Sequence, residues 1–142
     1  MSVFLEEVFP VSAGDYVRAG QASATIKRKL KQLGIDAGVL RRVSVASYEV
    51  ELNLVIHSLG GTLTMQVEPE KVTLISNDIG PGIPDIDKAM TEGFSTANEE
   101  ARTLGFGAGM GLPNMRRNAS HFDIQSQVGV GTNIMMSFDL KS

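Results

Sequence analysis

Glycine is concentrated in one stretch of this chain, and that stretch strongly limits what the fold can be. Nine of the fifteen glycines lie between Gly80 and Gly131. Six of these nine form two clusters, Gly80 with Gly82 and the segment GFGAGMG over 105–111, and a polar segment lies between the clusters. Glycine has no Cβ, so it lets the backbone approach a ligand closely and adopt positive φ. The pattern predicts a ligand site whose two ends are joined by a flap over 92–105.

The two ends of this site differ in chemistry, and the difference indicates the ligand. Gly107, Gly109 and Gly111 place a row of backbone N–H groups at the start of a helix, which suits an anion such as a chain of phosphates. Asp78 follows an apolar run and disfavours phosphate, but it can accept a hydrogen bond from an exocyclic amine such as that of adenine. One acidic end and one N–H-rich end together predict a nucleotide site.

The composition excludes several classes of function. The 142 residues carry a net charge of −3 without a basic stretch, so no nucleic-acid surface is indicated. The chain has no cysteine and therefore neither a disulfide framework nor a thiolate metal site. The N-terminus has no signal-peptide pattern, and no apolar run approaches the ~18 residues that span a membrane. We expect one soluble, cytoplasmic domain over 1–142.

The order of the predicted elements indicates an α/β (α+β) sandwich of two layers. Ser12 or Asp15 can cap a first helix that ends near Leu33, and Asp36 can cap a second that ends near Leu59. Two shorter helices are predicted over 84–90 and 111–118, and strands are predicted over 3–9, 62–67, 71–77, 122–128 and 133–140. The strands fall in neighbouring pairs, which predicts a mostly antiparallel sheet with the helices on one face.

Two polar residues on the second helix are candidates for chemistry. Glu49 and Asn53 are four residues apart, so they lie on one face about one turn from each other. Asn53 offers a neutral oxygen ligand that suits Mg²⁺, and Glu49 could accept a proton from an attacking hydroxyl. Taken alone, the pair is more typical of a solvated helix face than of a catalytic site.

The glycine clusters also have ordinary interpretations when each is considered alone. The segment around Gly107 does not read GxGxxG and does not follow a first strand, so a dinucleotide-binding Rossmann unit is disfavoured. The chain contains no GxxxxGK[ST] segment, which excludes a P-loop. A glycine-rich segment without other support is most often a turn.

Four motifs in order are more specific than any one of them. The order is Glu49-x-x-x-Asn53, Asp78-x-Gly80-x-Gly82, the second glycine cluster, and Gly131-Thr132 at the start of a strand. This order resembles the GHKL, or Bergerat-fold, ATPases over nearly the whole chain. The resemblance implies an ATP site in which Glu49 is the general base, Asn53 holds Mg²⁺, and adenine is bound by Asp78 with Thr132. It also implies that Gly80 and Gly82 bind ATP, and that the phosphates are cradled by the second glycine cluster with its neighbours, Gly105, Gly107, Gly109, Met110, Gly111 and Leu112.

The segments over 80–96 and 107–117 are similar to those of the RsbT-type stressosome switch kinases, and then to the RsbW/SpoIIAB-type anti-sigma-factor kinases. This resemblance implies a serine/threonine kinase that uses ATP and Mg²⁺ to phosphorylate a small antagonist protein of the STAS type. The alternative is a non-catalytic, ATP-gated module that sequesters a sigma factor or activates a phosphatase. A homodimer is compatible with either function, and a plain ATPase is disfavoured because we expect no transducer domain.

Two features depart from the pattern of these kinases. Tyr48 stands where a small residue commonly precedes the catalytic Glu, which puts the local packing in question but not Glu49 itself. The predicted flap carries an additional segment over 98–102, and two of its acidic residues, Glu99 and Glu100, would repel phosphate if they faced the site. We therefore expect these two side chains to face solvent or a partner.

Overall fold

The computed structural model describes residues 5–83, 85–90 and 111–140. Their elements are, in chain order, β1 (Leu5–Val11), α1 (Gln21–Gln32), α2 (Ala37–His57), β2 (Gly61–Val67), β3 (Lys71–Asp78), α3 (Ile86–Ala89), α4 (Gly111–Asn118), β4 (His121–Gln127) and β5 (Gly131–Asp139). Apart from the start of α1, these bounds agree with the predicted ones to within two residues. The predicted flap and most of the second glycine cluster lie outside the described residues.

The five strands form one sheet in the order β1-β2-β3-β5-β4, and all of its pairings are antiparallel. Side chains alternate across it, so that Met65, Leu74 and Met136, which are register partners on adjacent strands, form one buried row. This row packs beneath the helices, and α2 contacts four of the five strands. The predicted two-layer α/β sandwich with an antiparallel sheet is therefore confirmed.

Helix α2 is the central element of the helical layer. It begins as predicted at Asp36, whose carboxylate accepts hydrogen bonds from the backbone N–H groups of Gly38 at 3.0 Å and Val39 at 3.4 Å. Its inner side is apolar and packs in the core through residues that include Val43, Val50 and Leu54. Because this side is fixed on the sheet, the directions of the polar residues on the other sides of α2 are fixed as well.

The predicted start of α1 at Ser12 or Asp15 is wrong, because α1 begins at Gln21. Its N-terminal amides are satisfied by a residue far along the chain instead of by a local cap. Glu51 of α2, which is only 3% exposed, accepts hydrogen bonds from the backbone N–H groups of Gly20 at 3.0 Å, Ala22 at 3.2 Å and Ser23 at 2.9 Å. Gly20 has a φ of 98°, a conformation that glycine adopts without a steric penalty.

We expect Glu51→Ala to lower the free energy of unfolding by about 2–4 kcal/mol, because three N–H donors, two of them buried, lose their acceptor. Glu51→Gln keeps one acceptor oxygen and should fall between the wild type and the alanine variant. Urea unfolding measures the three free energies. Asp123→Ala on exposed β4 is the control for loss of one carboxylate, and an equal effect at both positions would contradict this account of α1.

Candidate functional site

Asp78 lies at the end of β3, where β5 approaches it closely. Its Oδ1 accepts a hydrogen bond from the backbone N–H of Thr132 at 3.0 Å. A Cβ atom on Gly131 would lie 2.1 Å from the carbonyl oxygen of Asp78, so only glycine allows this approach of the two strands. The strand pairing therefore fixes one carboxylate oxygen, and a carboxylate has acceptor capacity left for a second donor.

The Asp78 carboxyl is half-buried, and this affects its titration. Burial raises the pKa of Asp78 above its ordinary value, and the hydrogen bond from the Thr132 N–H acts in the opposite direction. A carboxylate in this environment gains from an added donor, since desolvation has removed part of its hydration. This matches the exocyclic amine expected from the sequence.

The hydroxyl of Ser126 on β4 connects the loop after β3 with the start of β5. Ser126 Oγ lies 2.8 Å from Thr132 Oγ1 and donates to the carbonyl oxygen of Gly131 at 3.2 Å. It also accepts from the backbone N–H of Ile83 at 2.7 Å. Ser126 was not predicted from the sequence, and its only signal is the β4–β5 register, which pairs it with Thr132.

The loop after β3 is packed directly on the β4–β5 hairpin. Gly82 has a φ of 74°, and a Cβ atom at this position would lie 2.4 Å from the carbonyl oxygen of Gln127. The backbone N–H of Gly80 donates to the carbonyl oxygen of Val130 at 3.1 Å. Both predicted glycines therefore hold the loop beside Asp78, and Gly82 is the one that no other residue can replace without displacement of the backbone.

Glu49 and Asn53 lie on the side of α2 that α4 packs against. Glu49 is half-buried, and its Oε2 accepts a hydrogen bond from Asn114 Nδ2 of α4 at 2.5 Å. The Oδ1 of Asn114 accepts in turn from Arg117 Nη1 at 3.1 Å. Glu49 is thus not a freely solvated carboxylate, and the solvated-face interpretation of the pair does not describe it. The sequence did not indicate Asn114, because its contact with Glu49 spans 65 residues.

The α2 end and the β3 end of the site are joined by the backbone. The N–H of Leu59 donates to the carbonyl oxygen of Ile79 at 2.7 Å, and the N–H of Ile79 donates to that of Gly60 at 3.0 Å. Asn53 lies five residues before Ser58, or about 7.5 Å along the helix axis. The structure therefore brings Asn53 to the same end of the molecule as Asp78.

The second glycine cluster is described only from Gly111 onward. Gly111 begins α4, and among the described residues no atom lies within 4 Å of a Cβ atom placed there. The side chain of Leu112 is buried in the core, which leaves only its backbone available for a phosphate. Gly105, Gly107, Gly109 and Met110 lie outside the described residues, and their phosphate contacts remain predictions.

Other ligand types find less support in the described parts of the chain. Residues 5–83, 85–90 and 111–140 contain no group of three His, Cys, Asp or Glu side chains that could hold a metal ion. Burial lowers the pKa of His57, which favours its neutral form. Among the described helices, none combines the length and apolar character required to cross a membrane.

The described fold agrees with comparisons to known proteins. A family model described as histidine kinase-, DNA gyrase B- and HSP90-like ATPase matches residues 38–142. The chain therefore belongs to this family of ATPases. It is 32% identical over 124 residues to the serine/threonine-protein kinase RsbT of Bacillus subtilis (strain 168), which covers 84% of this chain and 85% of that protein. It is also 33% identical over 100 residues to the anti-sigma F factor of Thermoanaerobacter sp. (strain X514), covering 67% of this chain and 66% of the relative.

The raised pKa of Asp78 predicts a pH-dependent contribution to stability. A carboxyl whose folded pKa is raised contributes stability that is fully present below its unfolded pKa and is lost as the pH rises through its folded pKa. Asp78→Asn removes this titration. We therefore expect the unfolding free energy of the wild type, relative to that of the variant, to increase as the pH falls from neutral through this range.

Urea unfolding of the wild type and Asp78→Asn over a series of pH values checks this expectation. Asp123→Asn removes one exposed carboxyl from β4 and serves as the control for loss of charge. Parallel stability curves for the wild type and Asp78→Asn would contradict the raised pKa of Asp78 in the folded state.

Proposed function

We propose that this chain is an ATP-dependent serine/threonine kinase of a bacterial partner-switching pathway, acting in the cytoplasm on a Ser or Thr of a small STAS-type antagonist protein. The observation that carries the proposal is the half-buried carboxylate of Glu49, oriented by Asn114 and placed one turn from Asn53. The name of the relative RsbT, a serine/threonine-protein kinase, supports the same reaction.

In this proposal the nucleotide base is bound at the β3 end of the site. Asp78 accepts a hydrogen bond from the exocyclic amine of adenine through the capacity that Thr132 leaves unused. Thr132 and Ser126 hold the adjacent strand ends in place through their paired hydroxyls. This contact would favour adenine over guanine. Guanine has a carbonyl oxygen where adenine has its amine, and that oxygen and the Asp78 carboxylate are both acceptors.

The phosphates extend toward the start of α4. The first turn of a helix has free N–H groups and the positive end of its dipole, so Gly111 and Leu112 can bind phosphate oxygens through the backbone. The half-buried amide of Asn53 fits Mg²⁺, which prefers oxygen ligands and keeps phosphates and water among them. When bound, the ion would screen the phosphate charges.

Glu49 acts in this proposal on the hydroxyl of the substrate protein. Its carboxylate accepts the proton as the hydroxyl oxygen attacks the γ-phosphorus, and the bond from that phosphorus to the β–γ bridging oxygen breaks to release ADP. Asn114 holds the carboxylate in one orientation through its donated hydrogen bond. This positioning keeps the Glu49 carboxylate near the orientation that the proton transfer requires.

A second function is an ATP-gated binding module that sequesters a sigma factor or activates a phosphatase without turnover. The resemblance to a protein named anti-sigma F factor favours it. A module of this kind has no use for an oriented carboxylate at position 49. The two functions therefore differ in what they require of Glu49.

The adenine assignment predicts the effect of Asp78→Asn on affinity. The variant replaces a charged acceptor with an amide that can turn its donor group toward the adenine amine. We expect the affinity for ATP to fall by ~30–150-fold, or about 2–3 kcal/mol. Titration calorimetry measures the change, with Asp123→Asn as the control. Unchanged affinity would remove Asp78 from the binding site.

The kinase assignment predicts that Glu49→Gln separates binding from transfer. Glutamine keeps the size of the side chain and an acceptor for Asn114 but cannot take a proton. We expect ATP affinity to remain near the wild-type value, while phosphate transfer falls by ~10²–10⁴-fold. The assay follows labelled γ-phosphate into purified STAS-type proteins from the same genome. Transfer at the wild-type rate would show that Glu49 is not the base.

A further inference from the structure

One strip of α2 remains exposed between its two helical neighbours. It consists of Arg41, Arg42, Val45 and Tyr48, which we call the α2 ridge. Both arginines are exposed, and Val45 and Tyr48 keep 37% and 41% of their surface in solvent. Residues 41, 45 and 48 follow the i, i+4, i+7 spacing of one helix face.

The α2 ridge lies between helices α1 and α4. On one side α1 packs against α2, and a Cβ atom on Gly20 would lie only 3.3 Å from Cε1 of Tyr48. On the other side α4 packs against α2 and contacts Glu49 through Asn114. The ridge is therefore a fixed surface of the helical layer, bordered by the proposed base.

The ridge carries positive charge that the described protein does not neutralise. Within residues 5–83, 85–90 and 111–140, neither Arg41 nor Arg42 forms an ion pair. Arginine and tyrosine are among the residues that most often dominate the energy of protein interfaces. The complementary surface is acidic and presents an apolar group to Val45 and Tyr48.

The ridge also lies next to Glu49. Glu49 follows Tyr48 in the chain and lies one turn after Val45. Side chains on a helix lean toward its N-terminus, so the carboxylate of Glu49 covers the turn that contains Val45. A protein that brings a hydroxyl to this carboxylate across the exposed surface of α2 therefore contacts the ridge.

We propose that the α2 ridge docks the substrate protein through an acidic segment with an apolar anchor beside the phosphoacceptor hydroxyl. This inference rests on the proposed kinase function and adds the chemistry by which the substrate is chosen. A second copy of the chain fits less well, because a symmetric contact between two ridges would bring two sets of Arg41 and Arg42 together.

The test compares two matched charge reversals. Arg41→Glu alters the ridge, and Lys71→Glu makes the same change at the start of β3 in the sheet layer. For the STAS-type protein that accepts phosphate in the transfer assay, we expect Arg41→Glu to raise KM by about tenfold or more, with kcat and the KM for ATP within about twofold of wild type. Lys71→Glu should leave all three values unchanged.

Two further measurements separate docking from a general loss of structure. Tyr48→Ala should raise the same KM while Tyr48→Phe, which keeps the ring, should not. The wild-type KM should also rise with salt more steeply than that of Arg41→Glu, because screening weakens an interaction that the variant no longer makes. Equal KM values for wild type and Arg41→Glu, or an equal increase in Lys71→Glu, would overturn the assignment of the ridge.

Failure of the kinase proposal gives a different result. If the wild type transfers no phosphate to any STAS-type protein, the function is wrong. Calorimetric titration of the same proteins then tests the ridge by binding alone. Weaker binding to Arg41→Glu than to Lys71→Glu supports the ridge as a docking surface, and equal binding overturns it.

Discussion

The packing of α2 across the sheet is the constraint on which the site depends. One side of the helix is buried against four strands, which fixes its rotation and its position along its axis. The polar residues on its other sides then have set directions: Glu51 toward α1, and Glu49 and Asn53 along the side where α4 packs. A rotation of α2 that turned these side chains toward other partners would also expose core residues such as Val50. The core packing therefore fixes the directions of all three side chains at once.

The other half of the site depends on strand pairing. Asp78 and Thr132 meet because β5 lies between β3 and β4, an order that inserts the last strand of the chain into the sheet. The same arrangement places Ser126 beside Thr132 and the loop of Gly82 against the end of β4. The proposed adenine end is thus built from two stretches that are far apart in sequence, residues 78–83 and 126–132, and backbone hydrogen bonds hold them together.

Much of this structure could be predicted from the sequence where local chemistry decides. The Asp36 cap, the length of α2 and the hairpins follow from capping residues, apolar periodicity and turns close to the residues concerned. The start of α1 was wrong because Ser12 and Asp15 are suitable local caps, whereas the acceptor in the structure is Glu51, some thirty residues away. Asn114 and Ser126 were missed for the same reason, since each acts through a contact that only the tertiary fold creates.

The N-termini of the described helices bear on where an anion can bind. The carboxylate of Glu51 receives the first N–H groups of α1, Asp36 those of α2, and Asp85 the N–H of Lys88 in α3. Helix α4 instead begins at Gly111, the last residue of the second glycine cluster. A phosphate that approaches α1, α2 or α3 meets a negative charge already seated at the positive end of the helix dipole. The fold therefore disfavours nucleotide binding at the starts of these three helices, because carboxylates of the protein itself already occupy them.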